Sequence, residues 1–168
     1  EILRCLVGSE MCIRDRVTAT RTTIGVHAPM ATAIADVAEA RRDYMDESGG
    51  RYVQVIADGG MGDSGSFVKA LAMGADAVML GAPLARATEA PGGGKHWGAE
   101  ARHQTLPRGS RTDVGTVGSL EQILFGPSHR ADGQVNYIGA LRRAMASTGY
   151  VDVKSFQRCS VVVNPYHV

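Results

Sequence analysis

From Pro29 onward the chain alternates between two spacings of apolar residues. In ATAIADVAEARRDYMDES, Ile34, Val37, Ala38 and Met45 recur at broadly helical intervals, which predicts a helix that Gly49-Gly50 ends. Residues 52–57 (YVQVIA) form a short β-rich run that stops at Asp58-Gly59-Gly60. This reads as a buried strand ending at a loop whose backbone needs the freedom of glycine. Ser64 or Ser66 can cap the next helix, FVKALAMG, which Gly74 closes. Residues 77–80 (AVML) predict a second buried strand, ending at Gly81. Strand, loop, helix and strand of this length make a βα unit with a right-handed crossover, and the class is α/β.

Periodicity is lost over residues 88–117, which fill with Gly, Pro, His and Arg. A stretch of about thirty residues without structure of its own is expected to be a functional lid or disordered. Helices are predicted over 119–125 and 138–147, on either side of a polar turn at 127–134. The tail at 159–163 (CSVVV) is a candidate final strand or edge segment. No internal repeat and no low-complexity tract interrupts the pattern.

The first sixteen residues do not share it. CLVGSEMCIRDR, residues 5–16, carries charges throughout and no long apolar run. It resembles one reading frame of the synthetic adapter used in transposase-based DNA library preparation, and residues 1–4 lie upstream of it. Residues 1–16 are therefore expected to be a non-native, adapter-derived segment joined at about Arg16/Val17, and are set aside from fold reasoning. Residues 17–168 are expected to be part of a domain rather than a whole one.

Charge and cysteine content then narrow the class. The three basic and three acidic residues of the first sixteen cancel, so the formal net charge of +1 belongs to the remainder. Nothing in that balance suggests a nucleic acid or a membrane surface as partner. No apolar run approaches the ~20 residues of a spanning helix. Cys5 and Cys12 go with the foreign segment, which leaves Cys159 alone. That excludes an internal disulfide in the remainder and fits a reducing, cytoplasmic setting. Cys159 itself is expected to be a small core residue.

The chemistry concentrates at Asp58-Gly59-Gly60-Met61-Gly62-Asp63-Ser64-Gly65, with Gly81 after the next strand. Glycines at strand ends let backbone N–H groups approach an anion, and a helix N-terminus behind them adds partial positive charge. Two such points at adjacent strand ends would clamp one phosphate, as at the last strands of a (β/α)8 barrel. Asp58 would repel a phosphate and suits a ribose diol instead. The alternative is that these are ordinary βα turns with Asp58 as a turn or capping residue. Lys69, in the helix behind the loop, is expected to be exposed and structural. His96, His103 and His129 match no standard ligand spacing, so no metal is expected. Trp97 could stack on a base or a nicotinamide, or pack the loop against the fold.

The spelling of residues 55–81, VIADGGMGDSGSFVKALAMGADAVMLG, resembles the signature of the IMP dehydrogenase/GMP reductase family. There, A-D-G-G followed by S-G-D-x-x-K-A-x-A-x-G-A-D-x-V-M-x-G spans the seventh and eighth barrel strands. The resemblance continues through Thr20-Arg21, Gly25-Val26, Pro29, Thr32-Ala33-Ile34 and Glu89-Ala90-Pro91-Gly92, and through Gly139-Ala140-Leu141-Arg142 and Gly149-Tyr150. It covers residues 17–168. HAPMATAIADVAEARRDYMDESGGRYV and EAPGGGKHWG are most similar to the IMP-dehydrogenase-related subgroup of actinobacteria.

The resemblance implies the C-terminal part, about three of eight units, of a TIM (β/α)8 barrel. It implies a homo-oligomeric, NAD- or NADP-dependent oxidoreductase of a purine nucleoside monophosphate, IMP or GMP, with a monovalent-cation site in the parent. An isolated fragment would be inactive. Carried over by match, Asp58 holds the ribose hydroxyls, and the Gly59–Gly60 turn and Gly81 hold the phosphate through backbone N–H groups. Ala82 stands where the family usually has a serine, losing a hydrogen bond to a charged group worth about 1.5–3 kcal/mol. Counting back from Arg21, Thr18 stands where the family has its nucleophilic cysteine. Threonine is a far weaker nucleophile, and no base beside it is evident. Either the parent lacks the cysteine or the junction has corrupted residues 17–20. Glu100 could contact the purine amino and N1 positions, or be an exposed loop carboxylate.

The dehydrogenases activate water with an adjacent Arg-Tyr pair on a mobile flap. No tyrosine lies between Lys95 and Val117, and Arg51-Tyr52 begins a predicted strand. The sequence leans towards reductive deamination of GMP to IMP. The alternatives are IMP dehydrogenase, converting IMP to XMP, and a non-catalytic nucleotide-binding barrel without the cysteine.

Overall fold

The computed structural model describes residues 6–7, 28–96 and 112–162. Among these, three strands run parallel in the order β1 (Leu6–Val7), β2 (Ile56–Asp58) and β3 (Ala77–Met79). Ile56 pairs with Ala77, Ala57 with Val78, and Asp58 with Met79. The class is mixed α/β, and the described strands do not close into a barrel.

Two helices cover one face of this sheet. α1 (Met30–Glu47) begins at Pro29 without a side-chain cap and buries Ala33, Ile34 and Ala38. α2 (Ser64–Ala72) buries Phe67, Ala70 and Leu71. Val55 and Ala57 point at these helices and are fully buried, packed with Ile34, Met61, Ala70 and Ala75. Alternation along the strands sends Ile56, Asp58, Ala77 and Met79 to the other face. No described element covers that face, and Met79 is 47% exposed. The expectation that residues 77–80 form a fully buried strand is therefore corrected: β3 is an edge with one open side.

β2 also differs from the predicted 52–57. Val55 donates its N–H to the Asp76 carboxylate at 2.8 Å, and its carbonyl accepts from the N–H groups of Asp76 and Ala77. With both polar groups taken by the chain entering β3, the ladder starts one residue later. The cap of α2 is Asp63 rather than Ser64 or Ser66. Its carboxylate accepts from Ser66 N–H at 2.8 Å and from the Ser66 hydroxyl at 3.0 Å. Ser64 is already inside the helix, and its N–H donates to the Gly133 carbonyl at 2.7 Å.

A second core joins the outer side of α2 to the C-terminal helices. α3 (Ala82–Ala85) is a single turn after β3. α4 (Leu120–Phe125) starts with a capping box between Ser119 and Gln122. α5 (Tyr137–Thr148) starts at Asn136, held in the left-handed region at φ 60° while its side chain accepts from Gly139 N–H. α6 (Val153–Phe156) follows, capped by Asp152. Phe67, Leu71, Ile123, Tyr137, Leu141 and Phe156 pack here, with half-buried Cys159 against them. Phe67 meets Tyr137 edge-on, ring centroids 5.6 Å apart.

Two further expectations are corrected. The tail makes no strand over its described residues 159–162, where Val162 is 86% exposed. The stretch 88–117 is not without structure, because β4 (Lys95–His96) pairs antiparallel with β5 (Thr112–Asp113) at its base. Residues 97–111, between them, lie outside the described part. Within residues 1–16, the backbone of Leu6–Val7 pairs with Ile56–Ala57. A parallel ladder uses main-chain groups alone, so a segment of any origin can form it.

Candidate phosphate-binding site

The carboxyl ends of β2 and β3 lie side by side because Asp58 is in register with Met79. Past Asp58, Gly59 (φ 106°) and Gly60 (φ 75°) take two successive positive-φ conformations, which side chains resist. This turns the main chain sharply from β2 towards α2. Past Met79, Gly81 is exposed and leads into α3. Asp58, Gly59, Gly60, Gly81 and Ala82, far apart in the sequence as two sets, are thus brought to one sheet edge. Asp58, Gly59, Gly60 and Ala82 are each half-buried.

The loop after Gly60 is anchored from behind. The Tyr137 hydroxyl donates to the Met61 carbonyl at 3.2 Å. Arg86 Nη1 donates to the Gly62 carbonyl at 2.8 Å. Gly133, itself at φ 73°, receives the Ser64 N–H. Burial pushes the Tyr137 phenol well above its ordinary pKa, with Arg86 opposing and Asp63 and Asp132 assisting, so it stays a donor. The Met61 and Gly62 carbonyls are thus held by donors from α5 and from the end of α3. Asp63 already places a carboxylate on the first turn of α2. The helix N-terminus expected to assist an anion is therefore partly neutralised, and the glycine N–H groups carry more of the task.

His96 completes this edge. Its imidazole lies against Gly81, with Nε2 2.7 Å from where a Cβ on that glycine would sit. The β4–β5 pairing brings it there, together with the close approach of Gly94 to the Gly115 backbone. Two chemical demands meet at these positions: a backbone open for donation to an anion, and no side chain to obstruct it. The arrangement can hold a compact oxyanion between two strand ends, with a carboxylate, Asp58, beside it to accept hydroxyl donors.

Of the other residues singled out by sequence, Thr18, Trp97 and Glu100 lie outside the described part, as does His103. Lys69 is exposed on α2, and His129 is exposed in the polar turn. Among the described residues no group of three or more His, Cys, Asp or Glu is placed to hold a metal ion. Among them, too, no helix is long and apolar enough to cross a membrane. Sequence reasoning missed Arg86 and Tyr137, which carry no motif, and weighed His96 only as a metal ligand.

Residues 15–164 match the family model described as IMP dehydrogenase / GMP reductase domain. The chain is 53% identical over 149 residues to an uncharacterized oxidoreductase of Mycobacterium leprae, covering 88% of this chain and 40% of that protein. It is 54% identical over 76 residues to the inosine-5'-monophosphate dehydrogenase of Thermoplasma acidophilum, covering 45% of this chain and 14% of that one. The crystal structure of an IMP dehydrogenase/GMP reductase-like protein from Corynebacterium glutamicum superimposes with a TM-score of 0.78 at 56% identity. That match covers 87% of this chain and 39% of the other. The chain thus spans about two fifths of the length of the Mycobacterium leprae and Corynebacterium glutamicum proteins.

Proposed function

Because this chain belongs to the IMP dehydrogenase/GMP reductase family, we propose that it forms the C-terminal three of eight units of a TIM-barrel oxidoreductase acting on a purine nucleoside monophosphate. The observation that carries this reading is the register of Asp58 with Met79, which sets the Gly59–Gly60 turn beside Gly81. The open sheet face supports it as well. Parallel sheets are covered on both sides, and the face of Ile56, Ala77 and Met79 would be covered by the rest of a barrel. The parent is proposed to be cytoplasmic and homo-oligomeric.

In this site the N–H groups of Gly60 and Gly81 donate to the nucleotide phosphate, and Asp58 accepts from the ribose hydroxyls. Ala82 offers no side-chain donor. NAD or NADP, when bound, supplies or removes the hydride. Trp97, which could stack on a base or a nicotinamide, lies outside the described part.

The reaction favoured is reductive deamination of GMP: GMP, NAD(P)H and two protons give IMP, ammonium and NAD(P)+. The C2–amino bond breaks and a hydride takes its place. Residues 95–117 support this direction, since they hold no tyrosine for a water-activating Arg-Tyr pair. Thr18 favours a second reading, a barrel that binds nucleotide without turnover, because threonine lacks the nucleophilicity of a thiolate. Residues 1–16 are proposed to be non-native, in keeping with a family match that begins at residue 15.

Two measurements test this. A continuous read of the source DNA across Arg16/Val17 shows whether position 18 is natively cysteine or threonine. GMP-dependent oxidation of NADPH and NADH, set against IMP-dependent reduction of NAD, is then assayed on the intact parent. Turnover of GMP alone supports the reductase, and turnover of IMP alone the dehydrogenase. Binding of neither nucleotide would end the proposal.

A further inference from the structure

We infer that His96 is the side chain that recognises the phosphate at Gly81, so that this site is built for a phosphomonoester held by two main-chain turns and one imidazole. The inference rests on the phosphate site proposed above and adds a residue to it. The ring approaches Gly81 nitrogen-first: Nε2 is 2.7 Å, Cε1 3.3 Å and Cδ2 3.8 Å from the position of a Cβ there. Gly81 follows β3 by two residues and leads directly into α3, so the ring stands beside the chain where it leaves the carboxyl end of the sheet.

An oxygen accepting from the Gly81 N–H lies about 2.9 Å from that nitrogen. The imidazole nitrogen already borders the same glycine, so one phosphate can meet both. Imidazole can donate to a phosphate oxygen when neutral, through one tautomer, and from both nitrogens when protonated. Neighbouring side chains do not compete for the role. Ala82 has no polar group, Arg86 spends Nη1 on the Gly62 carbonyl behind the loop, and Lys69 is exposed on α2. The hairpin pairing of His96 with Thr112 fixes the backbone from which the ring reaches.

The test is a titration of the intact parent with GMP and, separately, guanosine, following the backbone amide resonances of Gly60 and Gly81. The wild type is compared with His96→Ala, and with His96→Ala combined with Ala82→Ser. Expected are shifts of both amides with GMP and a loss of about tenfold or more in GMP affinity in His96→Ala. Guanosine affinity should not change, and the added serine should recover GMP binding. An unperturbed Gly60 resonance in the free variant reports that the fold persists. If both amides respond but His96→Ala binds GMP as tightly as the wild type, the role of His96 is refuted and the phosphate site stands. If GMP moves neither amide in the wild type, the phosphate site itself is refuted, and His96 with it.

Discussion

The hydroxyl of Tyr137 donates to the carbonyl of Met61 across 76 positions of sequence, and this bond ties the C-terminal helices to the glycine turn. The phenol is fully buried, edge-on to Phe67, and its proton is kept by burial. Tyr137→Phe would keep the ring contact and leave the Met61 carbonyl unsatisfied. A loss of about 1–3 kcal/mol is expected in equilibrium unfolding by urea. Nucleotide affinity should fall with it, because the turn loses its anchor. Unchanged stability would show that the bond contributes nothing.

Asp76 gathers the opposite end of the sheet. Its carboxylate accepts from Tyr52, Val55 N–H, Gln157 and Arg41, with Arg41 at 2.6 Å and Lys154 at 3.5 Å. Burial by itself would raise its pKa; the hydrogen bonds of Tyr52, Val55 and Gln157 and the charge of Arg41 outweigh it and hold the carboxyl below the usual value. A depressed folded pKa contributes stability that is fully present above the unfolded value of about 3.9. It is lost as pH falls through the folded one. Wild-type stability should therefore drop as pH falls below about 4, and Asp76→Asn should lose this part of the dependence. At neutral pH the same variant should be about 3 kcal/mol less stable, since the largely buried Arg41 loses its carboxylate and keeps only Tyr52. Parallel acid curves for the two proteins would refute the assignment.

These two contacts also mark what could be read from the sequence. α1 was legible because Ile34 and Ala38 repeat at helical spacing and no long-range partner overrides them. The glycine turn was legible because two adjacent positive-φ positions need glycine wherever they occur. The start of β2 was not, since it depends on an Asp76 carboxylate 21 residues away claiming the Val55 amide. Asp63 and the two serines after it are all good caps, and only the geometry of the loop decides among them. α3 and α6, four residues each, are too short to show a period. The place of His96 against Gly81 needed the hairpin to close, and no spacing along the chain announces that.

The two glycines of the site should answer differently to alanine. Gly60 sits at φ 75°, so Gly60→Ala strains the backbone and should cost about 1–2 kcal/mol in thermal or chemical unfolding. Gly81 is at φ −103°, which any residue accepts, but a Cβ there would lie 2.7 Å from His96 Nε2. A side chain can swing away at little cost. Gly81→Ala should therefore unfold nearly as the wild type does, while its affinity for GMP falls several-fold. Equal destabilisation of the two variants would mean that Gly81 is retained for its backbone conformation instead.

Ala82 gives the reverse experiment, a gain. It is the first residue of α3, half-buried, and directly follows the glycine proposed to donate to the phosphate. Ala82→Ser adds a hydroxyl at the start of a helix, where serine is tolerated, and should leave stability within about 0.5 kcal/mol. A hydroxyl that reaches the phosphate adds a hydrogen bond to a charged group, and GMP affinity should rise by up to about tenfold. The gain should be smaller with His96 present than in its absence, because the two donors would serve the same oxygens. Measured as a double-mutant cycle by calorimetry, the pair should be non-additive. Full additivity would place the serine and the histidine on separate parts of the ligand. No gain in either background would mean that the phosphate does not lie at the start of α3.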